Sequence, residues 1–214
     1  MKILNKYVFG ILLLFALSLH GQESWDLVKD NDGVKVYTRI NEVMSFKEFK
    51  ASMTVKAKVA DFVSVLFDVE GLTAWGHNIL EARLLERPSD SIQIYYAIAK
   101  APWPYKNRDG IYKNILNWDK KNGLLTVEIQ MMADGLELDE NLVRMDGYGF
   151  WKVKEISESE LRVDFQMQVD PGGSIKAWMA NMFVTDSPFQ TMTGIREAMN
   201  QKKYQDQSFE FLTK

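Results

Sequence analysis

The side chains that most often carry out catalysis or bind metals are scarce in this chain of 214 residues. It has no cysteine and only two histidines, His20 and His77. A Cys nucleophile, a thiolate zinc site and an iron–sulfur cluster are therefore excluded. A catalytic triad or a metal site with several histidines would have to be built around these two imidazoles. No recognisable nucleophile motif stands beside His77, which we interpret as a surface or structural residue.

Two short motifs suggest ligand binding, and neither meets the requirements of its site. The turn Asp30-Asn31-Asp32-Gly33 is rich in carboxylates, but a calcium loop with Gly33 at its sixth position needs an acid where Val28 stands. The segment Gly147-Tyr148-Gly149 lacks the rest of a dinucleotide fingerprint and precedes a strand pattern. We interpret the first as a turn and discount the second, so the sequence indicates no metal and no cofactor.

The amino terminus has the pattern of a secretory signal peptide. Residues 1–6 contain Lys2 and Lys6, residues 7–19 are apolar, and the small residue Gly21 precedes a polar start. We expect cleavage after Gly21, which leaves a domain over residues 22–214. The alternative, a membrane anchor, needs about 20 apolar residues. A short signal before a lone domain indicates a bacterial protein that is exported across the inner membrane to the periplasm.

The charge balance argues against nucleic acid as a partner. The whole chain has 26 Lys and Arg against 29 Asp and Glu, a net charge of −3. Cleavage removes Lys2 and Lys6 and no acid, so the exported domain keeps 24 basic and 29 acidic residues and a net charge of −5. Nucleic-acid binding depends on clustered Lys and Arg, and no such cluster is present.

Hydrophobic periodicity along residues 22–214 predicts a single α+β domain. The clearest strands are 46–56 and 161–169, where apolar and polar residues alternate. A helical period covers 59–67. We interpret 24–29 as a short helix and 68–77 as a loop or a second short helix. Further strand patterns cover 34–39, 79–87, 91–99, 108–118, 124–132, 142–146 and 150–156.

The carboxyl-terminal part is predicted to be helical after the turn at residues 170–173. One apolar stripe contains Ile175, Trp178, Met179 and Met182, and a second contains Phe189, Met192, Ile195 and Met199. Pro188 is costly inside a helix but suits a first turn, so the pattern predicts two consecutive helices. A single long helix is too narrow to fill the space beneath about nine antiparallel strands. We therefore expect a cavity lined by both, with a solid core as the alternative.

Five segments, in this order, resemble START (steroidogenic acute regulatory protein-related lipid transfer) domains. They are Trp25 with residues 32–37, residues 47–51, Trp75, residues 103–109, and residues 169–173 followed by Trp178. The resemblance covers about residues 24–203. It implies the helix-grip fold, in which an antiparallel sheet wraps around the carboxyl-terminal helix and encloses a hydrophobic tunnel for one lipid.

The resemblance implies a monomer that binds, and transfers or senses, one sterol, phospholipid or sphingolipid and meets a membrane surface transiently. The candidate lipid contacts are Tyr95, Arg108, Asp109, Tyr112, Asn114, Arg144, Trp178, Met179, Met182 and Met192. Successive strand residues face opposite sides, so only one of Arg108 and Asp109 can point into the tunnel. An ion pair that fixes a loop is the alternative role for both and for Arg144. The helix methionines, Met199 included, can line the tunnel or pack in the core.

The loop Pro102-Trp103-Pro104 matches the family's entrance loop, and its Trp ring suits a bilayer interface; the alternative is that Trp103 packs on the helix. The chain departs from sterol-binding members, which commonly carry an acid near the place of Tyr95 and an arginine at the place of Asn114. The resemblance therefore does not imply a sterol ligand. A competing hypothesis is a helix-grip enzyme of the polyketide cyclase or aromatase type, which moves protons with tunnel side chains.

Overall fold

The computed structural model describes residues 25–40 and 46–213. The expected signal peptide, residues 1–21 with His20, lies outside the described residues. The strands are β1 (Asp26–Asn31), β2 (Val34–Ile40), β3 (Lys47–Val55), β4 (Ile79–Ser89), β5 (Ile92–Ala99), β6 (Arg108–Asp119), β7 (Leu124–Met132), β8 (Val143–Arg144), β9 (Asp146–Ser157) and β10 (Glu160–Asp170). The α-helices are α1 (Val59–Phe67), α2 (Leu72–Trp75), α3 (Ala177–Met199) and α4 (Glu210–Thr213), and a 3-10 turn covers Lys202–Tyr204.

Nine of the described strands form one antiparallel sheet in the order β1-β2-β3-β10-β9-β7-β6-β5-β4, and β8 pairs in parallel with β6. The sheet is open, with β1 and β4 at its edges. Alternation gives it one apolar face: on β10, Leu161 and Val163 are fully buried while Arg162 between them is exposed. Within residues 25–40 and 46–213, no helix is both long and apolar enough to cross a bilayer.

Helix α3 packs on the apolar face of the sheet, where it contacts β2 and β3 and also α1 and α2. Met192, Ile195 and Met199 are the side chains that it buries most completely. Gly194 sits against the backbone of α2, since a Cβ atom there would overlap the carbonyl oxygen of Trp75. The expected α+β helix-grip architecture, a large antiparallel sheet against a long carboxyl-terminal helix, is confirmed.

Two local predictions were wrong. Residues 24–29 were expected to be helical, but 26–31 form β1, because Asp32 and Gly33 both have positive φ (49° and 73°) and make a two-residue hairpin turn to β2. Two helices were expected around Pro188, but α3 runs through it unbroken. Pro188 has no amide hydrogen to donate to the carbonyl of Val184, and its ring crowds that carbonyl, but the packing of α3 on the sheet outweighs this cost.

Candidate functional site

A cavity of about 320 Å³ lies between the apolar face of the sheet and α3. The sheet side of its wall is mostly aromatic and aliphatic, with Phe49, Ile129, Trp151, Phe165 and Met167 among its members. This volume is at the lower end of the range of about 300–1,000 Å³ that is typical of ligand cavities. One slender apolar molecule would fill it.

The cavity exists because α3 presents small side chains to it. Its helical contribution to the wall consists of Ala180, Asn181, Val184, Ser187, Pro188 and Thr191, with Ile175 just before the helix. Residues 180, 184, 187 and 191 are spaced by three or four positions and so share one helix face. Because the side chains on this helix face are small, they do not reach the side chains of the sheet opposite them, and a cavity remains between the two.

The four helix residues predicted as lipid contacts lie outside this wall. Trp178 and Met182 are 60% and 62% exposed, and Met179 is half-buried. Met192 is fully buried in the core beneath α3, as is Met199. The periodicity argument selected large apolar residues, whereas the residues that border a cavity on this helix are the small ones. A stripe of small residues on the same helix was the signal that could have found them.

The inner part of the cavity is polar and uncharged. The rings of Tyr95 and Tyr112 stack with centroids 5.0 Å apart and an interplanar angle of 11°. Asn114 hydrogen-bonds to Tyr95, and its Oδ1 atom has no partner among the described residues; the Nε1 atom of Trp75 in the same wall also has none. Gln93 donates from Nε2 to the carbonyl of Leu66 at 2.9 Å. A ligand that reaches this depth meets hydrogen-bonding groups without formal charge.

Burial keeps the two tyrosines protonated. It raises the pKa of Tyr95 far above its ordinary value of 10.0, with a further increase from Tyr112 and an opposing effect of the Asn114 hydrogen bond. Burial also raises the pKa of Tyr112, and the Asp109 carboxylate adds to the shift. Each phenol can therefore donate or accept a hydrogen bond, but neither is a base near neutral pH.

Arg108 and Asp109 separate to the two faces of the sheet, as the alternation of β6 requires. Arg108 lines the cavity. Asp109 points to the outer face, where its two carboxylate oxygens accept from Nε and Nη2 of Arg144 at 3.0 and 2.9 Å. This pair is nearly enclosed, with side-chain exposures of 3% for Asp109 and 10% for Arg144. Asp109 and Arg144 thus form a structural ion pair outside the cavity, whereas Tyr95, Arg108, Tyr112 and Asn114 lie together in its wall.

The loop of Pro102, Trp103 and Pro104, which was predicted to form the entrance, follows β5. Pro102 is in the cavity wall, and Trp103 is 93% exposed, so its ring does not pack on the helix. Pro104 beside it is also exposed. His77 lies in the wall near this loop, with its backbone amide 3.3 Å from Oγ1 of Thr191 and its ring Nε2 2.9 Å from Nδ2 of Asn78. The loop thus joins one wall residue, Pro102, to an exposed Trp ring.

Among the described residues of the wall, the formal charges are all positive. Lys47, Lys100 and Arg108 are among its residues, and no Asp or Glu is. Across residues 25–40 and 46–213, no group of three or more His, Asp or Glu side chains comes together in a way that would hold a metal ion. Lys47, Lys100 and the unpartnered Trp75 Nε1 atom were not singled out from the sequence.

Comparison with known proteins gives a consistent picture. No protein-family model matches the chain. An uncharacterized protein of Pseudomonas aeruginosa is 30% identical over 181 residues, which cover 84% of this chain and 89% of that protein. The solved structure of a STAR-related lipid transfer protein fragment from Xanthomonas axonopodis is 34% identical, with a TM-score of 0.77, and the match covers 83% of this chain and 99% of that one. The structure of human STARD10 superposes with a TM-score of 0.72, and the match covers 82% of this chain and 72% of the STARD10 chain. The sequence identity is 21%, so this similarity concerns the fold alone.

Proposed function

Because the chain belongs to the START (StAR-related lipid transfer) family, we propose that it binds one lipid in the cavity between the sheet and α3 and carries or senses it without altering its bonds. The observation that carries the proposal is the cavity itself, an apolar space of about 320 Å³ with a small polar group at its inner end. The fold supports a domain for a hydrophobic ligand, and the wall supports an amphiphile, which needs apolar enclosure and a few hydrogen bonds.

The energetics favour capture of an acyl chain. Burial of one CH₂ group contributes about 0.8 kcal/mol, so ten methylenes transferred from water contribute about 8 kcal/mol before the cost of association is subtracted. Tyr95, Tyr112 and Asn114 add orientation at the inner end. These terms are sufficient for retention of a lipid and do not require any covalent step.

The enzymatic alternative, a cyclase-type proton transfer, has weaker support. It needs a group in the cavity that accepts a proton near neutral pH. The described wall holds no carboxylate, its phenols have pKa values raised by burial, and its one imidazole is that of His77. We therefore propose a non-enzymatic domain.

Transfer requires contact with a membrane, and we propose that the loop of Pro102, Trp103 and Pro104 makes it. The indole of Trp103 is 93% exposed next to the cavity wall, and Trp is favoured at bilayer interfaces. Export by the signal at residues 1–21 would place this exchange in the periplasm. The domain would act there as a monomer on membrane-bound lipid.

The test is native mass spectrometry with lipid extraction on the full chain purified from its own host. We expect one lipid per protein. Ala99→Phe fills the cavity wall from β5 and should abolish the lipid-bound species, whereas Ile98→Phe, which points to the other face of the same strand, should retain it. An empty wild-type protein, or equal lipid content in the two variants, would refute the proposal.

A further inference from the structure

The cavity wall has an excess of positive charge that the rest of the chain does not share. Three of its side chains, those of Lys47, Lys100 and Arg108, are cationic, and the described wall has no carboxylate. The whole chain, by contrast, has a net charge of −3. Arg108 is the first residue of β6, Lys47 is the first of β3 and Lys100 follows β5, so all three lie at one end of the sheet.

The strand pairings establish that this is a single end. Ala99 at the end of β5 pairs with Arg108, and Phe49 near the start of β3 pairs with Met167 near the end of β10. The Nε atom of Arg108 donates to the carbonyl of Pro171, just beyond β10, at 3.2 Å. This hydrogen bond connects the start of β6 with the segment that follows β10. We call Lys47, Lys100 and Arg108 the basic rim.

Arg108 is the member of the basic rim whose charge most needs a partner. It is only 6% exposed, and its guanidinium donates to two carbonyl oxygens, those of Pro171 and Lys106. Among the described residues it forms no ion pair, since the neighbouring acid, Asp109, faces the other side of the sheet and is neutralised by Arg144. A buried guanidinium without a counter-charge is costly, and carboxylate or phosphate oxygens are the groups that match its geometry.

From this arrangement we propose that the ligand is a single-chain amphiphile with an anionic oxygen head group, a carboxylate or a phosphate, which binds the basic rim while the chain extends toward Tyr95 and Asn114. The inference rests on the proposed lipid-binding function and specifies its ligand class. The cavity volume of about 320 Å³ accommodates one chain. The neutral polar groups at the inner end can then hydrogen-bond to a hydroxyl or keto oxygen on the distal part of the chain, because plain methylenes offer them no partner.

The test compares probes that share a chain and differ in head-group charge: dodecanoate, dodecyl phosphate and dodecanol. The two anions are added below their micelle concentrations, and dodecanol below its solubility limit, to delipidated full-length protein. Inorganic phosphate and acetate serve as chain-free anions. Binding is measured by calorimetry and by tryptophan fluorescence. A charge-assisted contact to Arg108 should make the two anionic amphiphiles bind about 10- to 100-fold more tightly than dodecanol, and the chain-free anions should not bind measurably.

The variant Arg108→Gln should reduce this preference to less than about threefold, because it weakens binding of the two anionic amphiphiles far more than binding of dodecanol. Arg162→Gln is the matched control, because it removes the same charge from an exposed position on the outer face. Thermal unfolding establishes whether Arg108→Gln is folded. If it is not, the double variant Lys47→Gln/Lys100→Gln, which alters the more accessible members of the basic rim, should reduce the preference about two- to fivefold.

The outcomes separate the two proposals. If dodecanol binds as tightly as dodecanoate, or if Arg108→Gln weakens both equally, the anionic head group is refuted and lipid binding stands. If inorganic phosphate binds as tightly as dodecyl phosphate, the basic rim is an anion site unrelated to the chain, and the inference is again overturned. If none of the chain probes binds and no lipid co-purifies from the host, the proposed function itself fails.

Discussion

Replacement of Asp109 by Asn should destabilise the protein strongly and leave its ligand binding intact. The substitution removes the charge that neutralises Arg144, whose guanidinium is held by both Asp109 oxygens and by the carbonyl of Ala133. With side-chain exposures of 3% and 10%, both partners are largely removed from water. Loss of one partner of such a pair costs about 3–5 kcal/mol, because the other remains buried and uncompensated.

In a domain of about 190 residues, 1 kcal/mol corresponds to a shift of about 2–4 °C in the unfolding midpoint, so Asp109→Asn should lower Tm by roughly 6–20 °C. The matched control is Asp164→Asn, which breaks the exposed ion pair with Arg162 and should cost less than about 1 kcal/mol. Thermal unfolding followed by circular dichroism measures both. A loss for Asp109→Asn no larger than that for Asp164→Asn would refute the assignment of a buried structural pair.

A second readout tests the same placement without unfolding. Burial, and after it the Asp109 charge and hydrogen bond, raise the pKa of Tyr96 to about 12. Asp109→Asn removes the charge, so titration of phenolate absorbance should show a tyrosine pKa that moves toward its ordinary value of 10.0. Below the unfolding temperature, dodecanoate affinity should remain within about twofold of wild type, since Asp109 faces away from the cavity. A loss of affinity comparable to that of Arg108→Gln would contradict the geometry.

Three further predictions address the entrance, the helix contact and pH. Trp103→Ala should slow lipid transfer between vesicles severalfold while equilibrium lipid binding changes little. The control is Ile156→Ala, which alters an exposed apolar residue at the far end of β9 and should not affect transfer. Equal transfer rates in the wild type and both variants would exclude a role for the loop. Gly194→Ala should cost about 1–3 kcal/mol in urea unfolding, because its Cβ would overlap the Trp75 carbonyl; a neutral effect would show that α2 and α3 are not in close contact. Burial raises the pKa of Asp68, but hydrogen bonds from Tyr204, Lys203 and the Gly71 amide outweigh it and lower the pKa overall. The ionised carboxylate therefore stabilises the fold fully above the unfolded-state pKa of about 3.9. This contribution is lost as the pH falls through the lower pKa of the folded state. Asp68→Asn should therefore cost about 1–2 kcal/mol at pH 7, a difference that shrinks below about pH 4, and a difference independent of pH would contradict it.

Most of the sheet could be predicted because each strand buries one face. On β10 the alternation of Leu161, Arg162 and Val163 is enough to define the strand and its orientation, and the structure agrees. The same rule separated Arg108 from Asp109 in principle, but only the structure shows which one lines the cavity. Alternation establishes that neighbouring side chains lie on opposite faces of a strand. Which of the two faces the cavity depends on how the sheet packs in the fold.

The errors occurred where tertiary contacts overrule local preference. Residues 24–29 have a weak helical pattern, yet the Asp32-Gly33 turn commits the segment before it to pair with β2. Pro188 has a local preference for a first turn, yet the packing of α3 against the sheet keeps one helix through it. Both the turn residues and the proline could be recognised in the sequence. Their effect on the local structure, however, depended on the strand or sheet against which the segment packs.

The cavity was the hardest feature to predict because it results from small side chains on α3 and not from the presence of particular large ones. Periodicity detects large apolar residues, and these fill the core, as Met192 does. The helix side of the wall is instead made of residues such as Ala180 and Thr191, which in sequence resemble an ordinary polar or neutral face. Polar residues inside an apolar cavity are the exception, since their burial is costly unless a partner compensates it. Arg108 and Asn114 are such residues. They were singled out through the resemblance to START domains, and the shape of the cavity around them required the structure.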